Sequence, residues 1–446
     1  MIYDVLITYQ HKARELEAIL LVKRELEHRG YTVALYCTFV YKTYPYYPKV
    51  KARLVIASAL YDDPTLAFFV YNLSGFVVKV INFHWEQILS VFDEKNPIST
   101  WNPKGNARKA LHLCWGEKTK KRLVDSGVPI RNVQVNGFIP HDLKSARFNG
   151  YYMEKVQLAL KYNLPADKKW ILFISSFTLP NMTIDEFIEI EKALGHQAAL
   201  FKEFSIKSKQ VILSWLEQYA RIHPTEIIIY RPHPDEIAGD KALAKLVETY
   251  SNFRLIGEIS IRQWIYVSDF ILNWYSTSVL DIHHLCKPSI ILRPVAIPED
   301  IELAVFTNAA FVVNYAGMER SIGLCSLVPL PVPAKDVEEY CAPANDERPN
   351  YILTCDIIEC YLKDTSTFLP LSILGRLRIL KSGIKNLLIF ALTKLPRPVV
   401  ALIPWLAKKL DMVRMTKQRL MRDFDKNYIT LQEENEFYKK IHLNNN

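Results

Sequence analysis

The sequence predicts an α/β protein: two Rossmann-like domains, each a doubly wound parallel sheet, facing a cleft and followed by a helical basic tail. Three observations predict it. Short apolar runs alternate with helix-patterned segments, once before residue 160 and again after residue 166. A Pro-rich stretch at 328–334 closes the second block, and basic charge concentrates beyond it. The 446 residues, 50% of them hydrophobic, suffice for two domains with proper cores. The expected boundaries are 1–160, 166–335 and 336–446.

The elements follow in order. Residues 2–9 read as a first strand. They carry no basic, long-apolar or small-residue leader pattern, so the expected location is the cytoplasm. An amphipathic helix spans 14–28, with Leu16, Ile19, Leu20, Leu21 and Leu26 apolar and Arg29-Gly30 as its stop. Strands are predicted at 31–36, 54–57, 77–81, 111–115 and 133–135, with a helix at 118–126 ended by Gly127. Residues 162–167 read as a linker. The second block opens at 168–174 and continues with strands at 227–230, 253–256, 270–272, 289–292 and 310–313. The seven cysteines form no CxxC pair and no zinc-like spacing, which predicts a reducing compartment.

The net charge of +9 is not spread along the chain. Residues 376–426 hold thirteen Lys and Arg against three Asp, so the remainder is close to neutral. No nucleic-acid motif accompanies this charge, and nucleic acid is not an expected partner. Apolar residues interleave with the basic ones, but Pro396, Pro398 and Pro404 interrupt them, so the run is short of a spanning helix. The composition of 371–426 suits a helix lying on an anionic membrane surface; a C-terminal helical hairpin packed on the domains, its basic face solvated, is the alternative.

Two loops carry chemistry. Arg231-Pro232-His233-Pro234 follows the strand at 227–230, and its two prolines restrict the backbone around His233. An imidazole there can donate to a phosphate oxygen and, when protonated, offset charge on a leaving group. Tyr275-Ser276-Thr277-Ser278 follows the strand at 270–272 and precedes a helix-like segment. Hydroxyls and free backbone N–H groups at a helix start suit an anion, though one of them also serves an ordinary N-cap. In open α/β sheets ligands lie outside the carboxyl ends of strands, so both loops predict a diphosphate or phosphodiester site.

These loops resemble those of GT-B-fold transferases that use CMP- or CDP-activated donors: the CDP-glycerol glycerophosphotransferases and the Kdo and sialic acid transferases of bacterial surface-carbohydrate synthesis. The glycerophosphotransferase pattern Asp-Tyr-Ser-Ser-x-x-x-Asp lies over Trp274 to Asp281 without a gap, with Trp274 in place of the first Asp. Trp115-Gly116-Glu117, the run Val135 to Pro140 and Lys287-Pro288 extend the resemblance to about residue 330. It implies donor-phosphate contacts from His233, Ser276, Thr277 and Ser278, charge support from Arg231 and ribose contact from Asp281. It further implies a nucleotide-activated sugar or polyol phosphate as donor, a lipid-linked glycan as acceptor, and work at the inner face of the cytoplasmic membrane. A UDP-sugar epimerase or a noncatalytic assembly protein on the same fold is the alternative.

Transfer requires a base for the acceptor hydroxyl. His84 and Glu86, just past the strand at 77–81, are the expected candidates, with Gln10 and His11 second. No metal or other cofactor is expected. The Asp423-Phe424-Asp425 motif lies in the tail, and the adjacent His283 and His284 point apart on a helix.

Overall fold

The structure is a computed structural model that describes residues 2–38, 50–74, 79–180, 196–234, 240–343, 347–364 and 426–442, with single positions 182, 187, 188, 191, 236, 373 and 377. Contacts divide the chain into two units: 1–87, 97–142 and 342–443 in the first, and 88–96, 143–341 and 444–446 in the second.

The first unit is built on strands β1 (Tyr3–Tyr9), β2 (Val33–Cys37), β3 (Ala52–Ala57), β4 (Lys79–Asn82), β5 (Leu111–Cys114) and β6 (Val133–Val135). All pair in parallel, in the order β2-β1-β3-β4-β5-β6. The interior of β1 is wholly apolar because both its flanks and both its faces are covered: Val5, Leu6 and Ile7 are fully buried. Helices α1 (Lys12–His28) and α2 (Glu117–Asp125) follow β1 and β5. Strand order reverses between β1 and β3, which makes their carboxyl ends the switch point of this sheet.

The second unit repeats the plan with β7 (Trp170–Ile174), β8 (Ile227–Arg231), β9 (Phe253–Leu255), β10 (Phe270–Asn273), β11 (Ser289–Leu292) and β12 (Phe311–Val312). The order is β12-β11-β10-β7-β8-β9, again all parallel, so β7 lies between the strands that carry the two predicted loops. Side chains alternate between two cores. Phe173, Tyr230 and Leu272 pack with Ile212 and Leu216 of a long helix, which with the helix before β7 makes α3 (Lys155–Tyr162) and α4 (His196–Ile222). Leu172, Ile229 and Ile271 face the opposite core, with Leu158 of α3 and Trp264 of the helix before β10. Further helices here include α5 (Lys241–Thr249), α6 (Ile261–Val267), α7 (Val279–His284) and α8 (Tyr315–Leu324). The fold class read from the sequence is the observed one, two parallel α/β sheets with helices after them.

The expected boundaries differ from the contact division at residues 88–96, which go with the second unit, and in two larger segments. Residues 143–160 go with the second unit because Leu158 and Ala159 fill its core beside Trp170 and Trp264. The C-terminal helices α9 (Asn350–Lys363) and α10 (Leu431–His442) belong to the first unit and pack on α1. Arg29 ties α1 to Asp356 and Glu359 of α9 at 2.8 and 3.2 Å. Lys12 and Lys23 hold Glu433 and Glu434 of α10 at 2.7 and 2.6 Å. The 336–446 segment is therefore not an appendage throughout. Its basic stretch, 371–426, lies outside the described residues except at 373, 377 and 426. Among the described residues, no helix is long and apolar enough to cross a membrane.

Candidate functional site

At the carboxyl edge of the second sheet, three loops leave adjacent strands: Ser175 to Thr178 after β7, Pro232 to Pro234 after β8, and Trp274 to Ser278 after β10. The switch point lies between β7 and β10. His233 is half-buried, and its backbone N–H donates to Glu236 Oε2 at 3.3 Å. Ser175 Oγ donates to the same carboxylate at 2.7 Å, Lys209 Nζ of α4 donates to its other oxygen at 2.9 Å, and the Tyr230 hydroxyl lies 3.0 Å from that oxygen. Lys209 also pairs with Asp240 at 2.7 Å. Lys209 and Glu236 are both buried, so Glu236 joins the β7 loop, the β8 loop and α4 through one anionic centre.

The β10 loop is held from inside. Asn273 accepts the Ser276 N–H through Oδ1 and donates to the Ser276 carbonyl, each at 3.1 Å. Trp274 is fully buried and stacks on Phe177 at 4.5 Å and on Phe201 at 5.9 Å. That accounts for an indole where the resembling enzymes carry Asp: here the position is core. Ser276 Oγ receives the Ser278 N–H at 3.2 Å, the local bond expected of a cap, while the Ser278 side chain makes no cap bond and Thr277 is exposed. The helix that follows, α7, is only six residues long, so its dipole adds little.

Two expected donor contacts are placed elsewhere. Arg231 turns away from the loop, donating to the carbonyls of Ile256 at 3.3 Å and Glu258 at 2.5 Å, and to that of Ile259. It is 7% exposed, and burial pulls its guanidinium down to about 10. It braces the loop after β9, where Ile259 has a positive φ of 56°, instead of meeting a ligand. Asp281 is buried and accepts from Arg262 Nε at 2.9 Å, so its carboxylate is engaged with α6. The Arg231→Met variant is expected to lose about 2–4 kcal/mol of stability through orphaned carbonyls. Nucleotide affinity of the folded protein should stay within about twofold, measured by urea unfolding and calorimetry.

In the first unit the loops after β1, β3 and β4 meet at α1. Glu15 is fully buried and accepts the N–H groups of Gln10 and His11 at 3.3 and 3.1 Å; burial raises its carboxyl above the usual range. Arg14 pairs with Glu15 at 3.1 Å and with Glu86 through its other nitrogen. The Glu86 side chain is 41% exposed, the accessible carboxylate of the group. His84 is fully buried in a left-handed conformation, φ 52°. Burial first, then Arg122 and His112, holds its imidazole well below its ordinary pKa, so it is neutral at pH 7. Its Nδ1 lies 3.2 Å from the donor Asn82 Nδ2, so the ring's lone pair is engaged and does not take a proton from a substrate, which leaves Glu86 as the base candidate.

No family model matches the chain, and no curated protein matches it in sequence. Among solved structures, the wall teichoic acid polymerase TagF is similar at 13% identity, over 81% of this chain and 89% of that one, with a TM-score of 0.53. The fold is GT-B-like. Two further likenesses are more distant in shape. S. aureus MnaA with UDP has 13% identity, 81% and 97% coverage and a TM-score of 0.47; the UDP-GlcNAc 2-epimerase of Neisseria meningitidis has 14% identity, 82% and 100% coverage and a TM-score of 0.45.

In this GT-B-like frame, sequence reading missed Ser175 and Lys209 and gave Glu236, in the loop after β8, no role. Ser175 directly follows β7, the strand at the switch point, and its position was legible once β7 was known to lie beside both β8 and β10. Lys209 had no such signal, since nothing local in a helix 27 residues long marks which of its polar residues turns inward. Among the described residues, no group of three or more His, Cys, Asp or Glu could hold a metal ion.

Proposed function

We propose that the protein is a metal-independent GT-B transferase of surface-polysaccharide synthesis. It moves a sugar or polyol phosphate from a CMP- or CDP-type donor to a lipid-linked acceptor at the inner face of the cytoplasmic membrane. The observation that supports this reading is that the loops carrying Ser175, His233 and Thr277-Ser278 leave three neighbouring strands, β7, β8 and β10, at the carboxyl edge that holds the switch point. In the step itself, the acceptor hydroxyl oxygen attacks the anomeric carbon or phosphorus of the donor, and the bond to the nucleotide oxygen breaks. The hydroxyl proton passes to a base, and the charge left on the nucleotide meets the His233 imidazole and the loop hydroxyls.

Calorimetric titration of CMP, CDP, UDP and GDP tests the donor class. A cytidine nucleotide binding best, together with its release when acceptor is supplied, is the expected result. Preference for UDP with no transfer would instead favour an epimerase, and no binding at all would remove the reading. The membrane part has its own test. Truncation near residue 370 would also remove α10, which packs on α1, so 376–422 should be replaced by a flexible linker with α10 kept. The excised protein should lose sedimentation with anionic vesicles, in a salt-dependent manner, while keeping nucleotide affinity.

A further inference from the structure

We infer that His84 is a neutral hydrogen-bond donor to a ligand oxyanion, held in that state by Asn82 and His112 as positioning residues. The identity of the ligand as a phosphate or carboxylate on the acceptor rests on the transferase reading above; the state of His84 does not.

The argument is a count of hydrogens. Asn82, the fully buried last residue of β4, accepts the backbone N–H of His84 through Oδ1 at 3.0 Å. That bond settles which end of the carboxamide is oxygen. Its Nδ2 then lies 3.2 Å from His84 Nδ1 and 3.0 Å from His112 Nδ1. An amide nitrogen only donates, and it has two hydrogens for two ring nitrogens. Both Nδ1 atoms must therefore accept, and both rings carry their single proton on Nε2. An imidazolium on either side would set N–H against N–H. The His112 proton finds the Ala107 carbonyl at 3.0 Å. Among the described residues the His84 Nε2–H finds no partner, although the ring is fully buried.

A buried donor left unpaired is destabilising, and a non-glycine residue at positive φ adds strain. Neither is a feature that packing alone selects. The neighbours share the deficit. Ser58 Oγ, just after β3, the Tyr61 hydroxyl and Arg14 Nε are likewise buried without partners among the described residues. Tyr61 stands edge-on to the His84 ring at 5.8 Å, and the Ser58 carbonyl accepts the Trp85 N–H at 3.2 Å, so these groups belong to one loop cluster. His84 Nε2–H and Arg14 Nε–H can only donate, and the two hydroxyls can donate. What satisfies such a set is a group with several oxygens and no proton to give, an oxyanion. Glu15 and Glu86 stand nearby, but both are already engaged by Arg14.

The test uses full-length protein with 15N-labelled histidine, reading ring nitrogens by long-range proton–nitrogen spectra, with the His84 signals assigned by their loss in His84→Gln. The expected pattern is a neutral ring protonated on Nε2 between about pH 6 and 8. Asn82→Asp presents an acceptor to Nδ1 and should move the proton there, a change that a purely structural role for Asn82 would not produce. If that variant does not fold, the wild-type spectrum still decides. A proton on Nδ1, or a charged ring, in the wild type would overturn the inference. Inorganic phosphate, acetate and glycerol are then titrated separately. A shift of His84 Nε2 with phosphate alone names a phosphate ligand, and a shift with acetate as well a general oxyanion site. A response to glycerol alone, or to none, overturns the oxyanion assignment. Nucleotide titration of the same sample shows separately whether the transferase reading stands.

Discussion

Replacing His233 with alanine is expected to weaken nucleotide binding by about tenfold to a hundredfold, the size of one hydrogen bond to a charged group. The fold should survive. His233 is in a loop and half-buried, and the bond that ties this loop to Glu236 comes from its backbone N–H, which alanine keeps. Calorimetry with the preferred nucleotide, beside a thermal melt, separates the two effects. Unchanged affinity would remove His233 from the site; a large fall in melting temperature would make it a loop strut.

Glu236→Ala should have the largest effect on stability of any single change at this edge, about 3–5 kcal/mol by urea unfolding. The loss has three sources: Lys209 is left buried with Asp240 alone, and the Ser175 hydroxyl and the His233 backbone N–H lose their acceptor, while the Tyr230 hydroxyl keeps Ser175 Oγ at 3.0 Å. Glu236→Gln keeps the shape and one acceptor oxygen, so about half that cost is expected. Both variants should bind nucleotide more weakly than their stability predicts, because the β7 and β8 loops are no longer joined. Equal stability of Glu236→Ala and wild type would show that the buried network contributes nothing.

The sheets were legible in the chain for a physical reason. Strands covered on both faces need apolar residues at every position, and runs such as Ile227 to Tyr230 or Val5 to Ile7 can be little else. The loops were legible because strand ends must turn, so Pro232, Pro234 and the Ser276 to Ser278 run announce themselves. Side-chain direction was not. Arg231 and Asp281 had the right chemistry for a nucleotide, yet carbonyls after β9 and Arg262 on α6 claim them, partners 25 and 19 residues away in sequence. His84 was likewise read as a base from its place after β4. Its tautomer depends on Asn82 and on His112, whose ring arrives from the neighbouring strand. Tail helices α9 and α10 were read as an appendage because their apolar faces match α1 only in space.

The second sheet and the first thus make separable claims: an anion site on loops after β7, β8 and β10, and a donor-lined cluster after β3 and β4. Hydrogen exchange with and without the preferred nucleotide tests the first claim most directly. Slowed exchange confined to residues 175–178, 232–234 and 274–278 is the predicted result. Slowed exchange at residues 58–61 and 84–87 of the first unit, with those three loops unchanged, would contradict it.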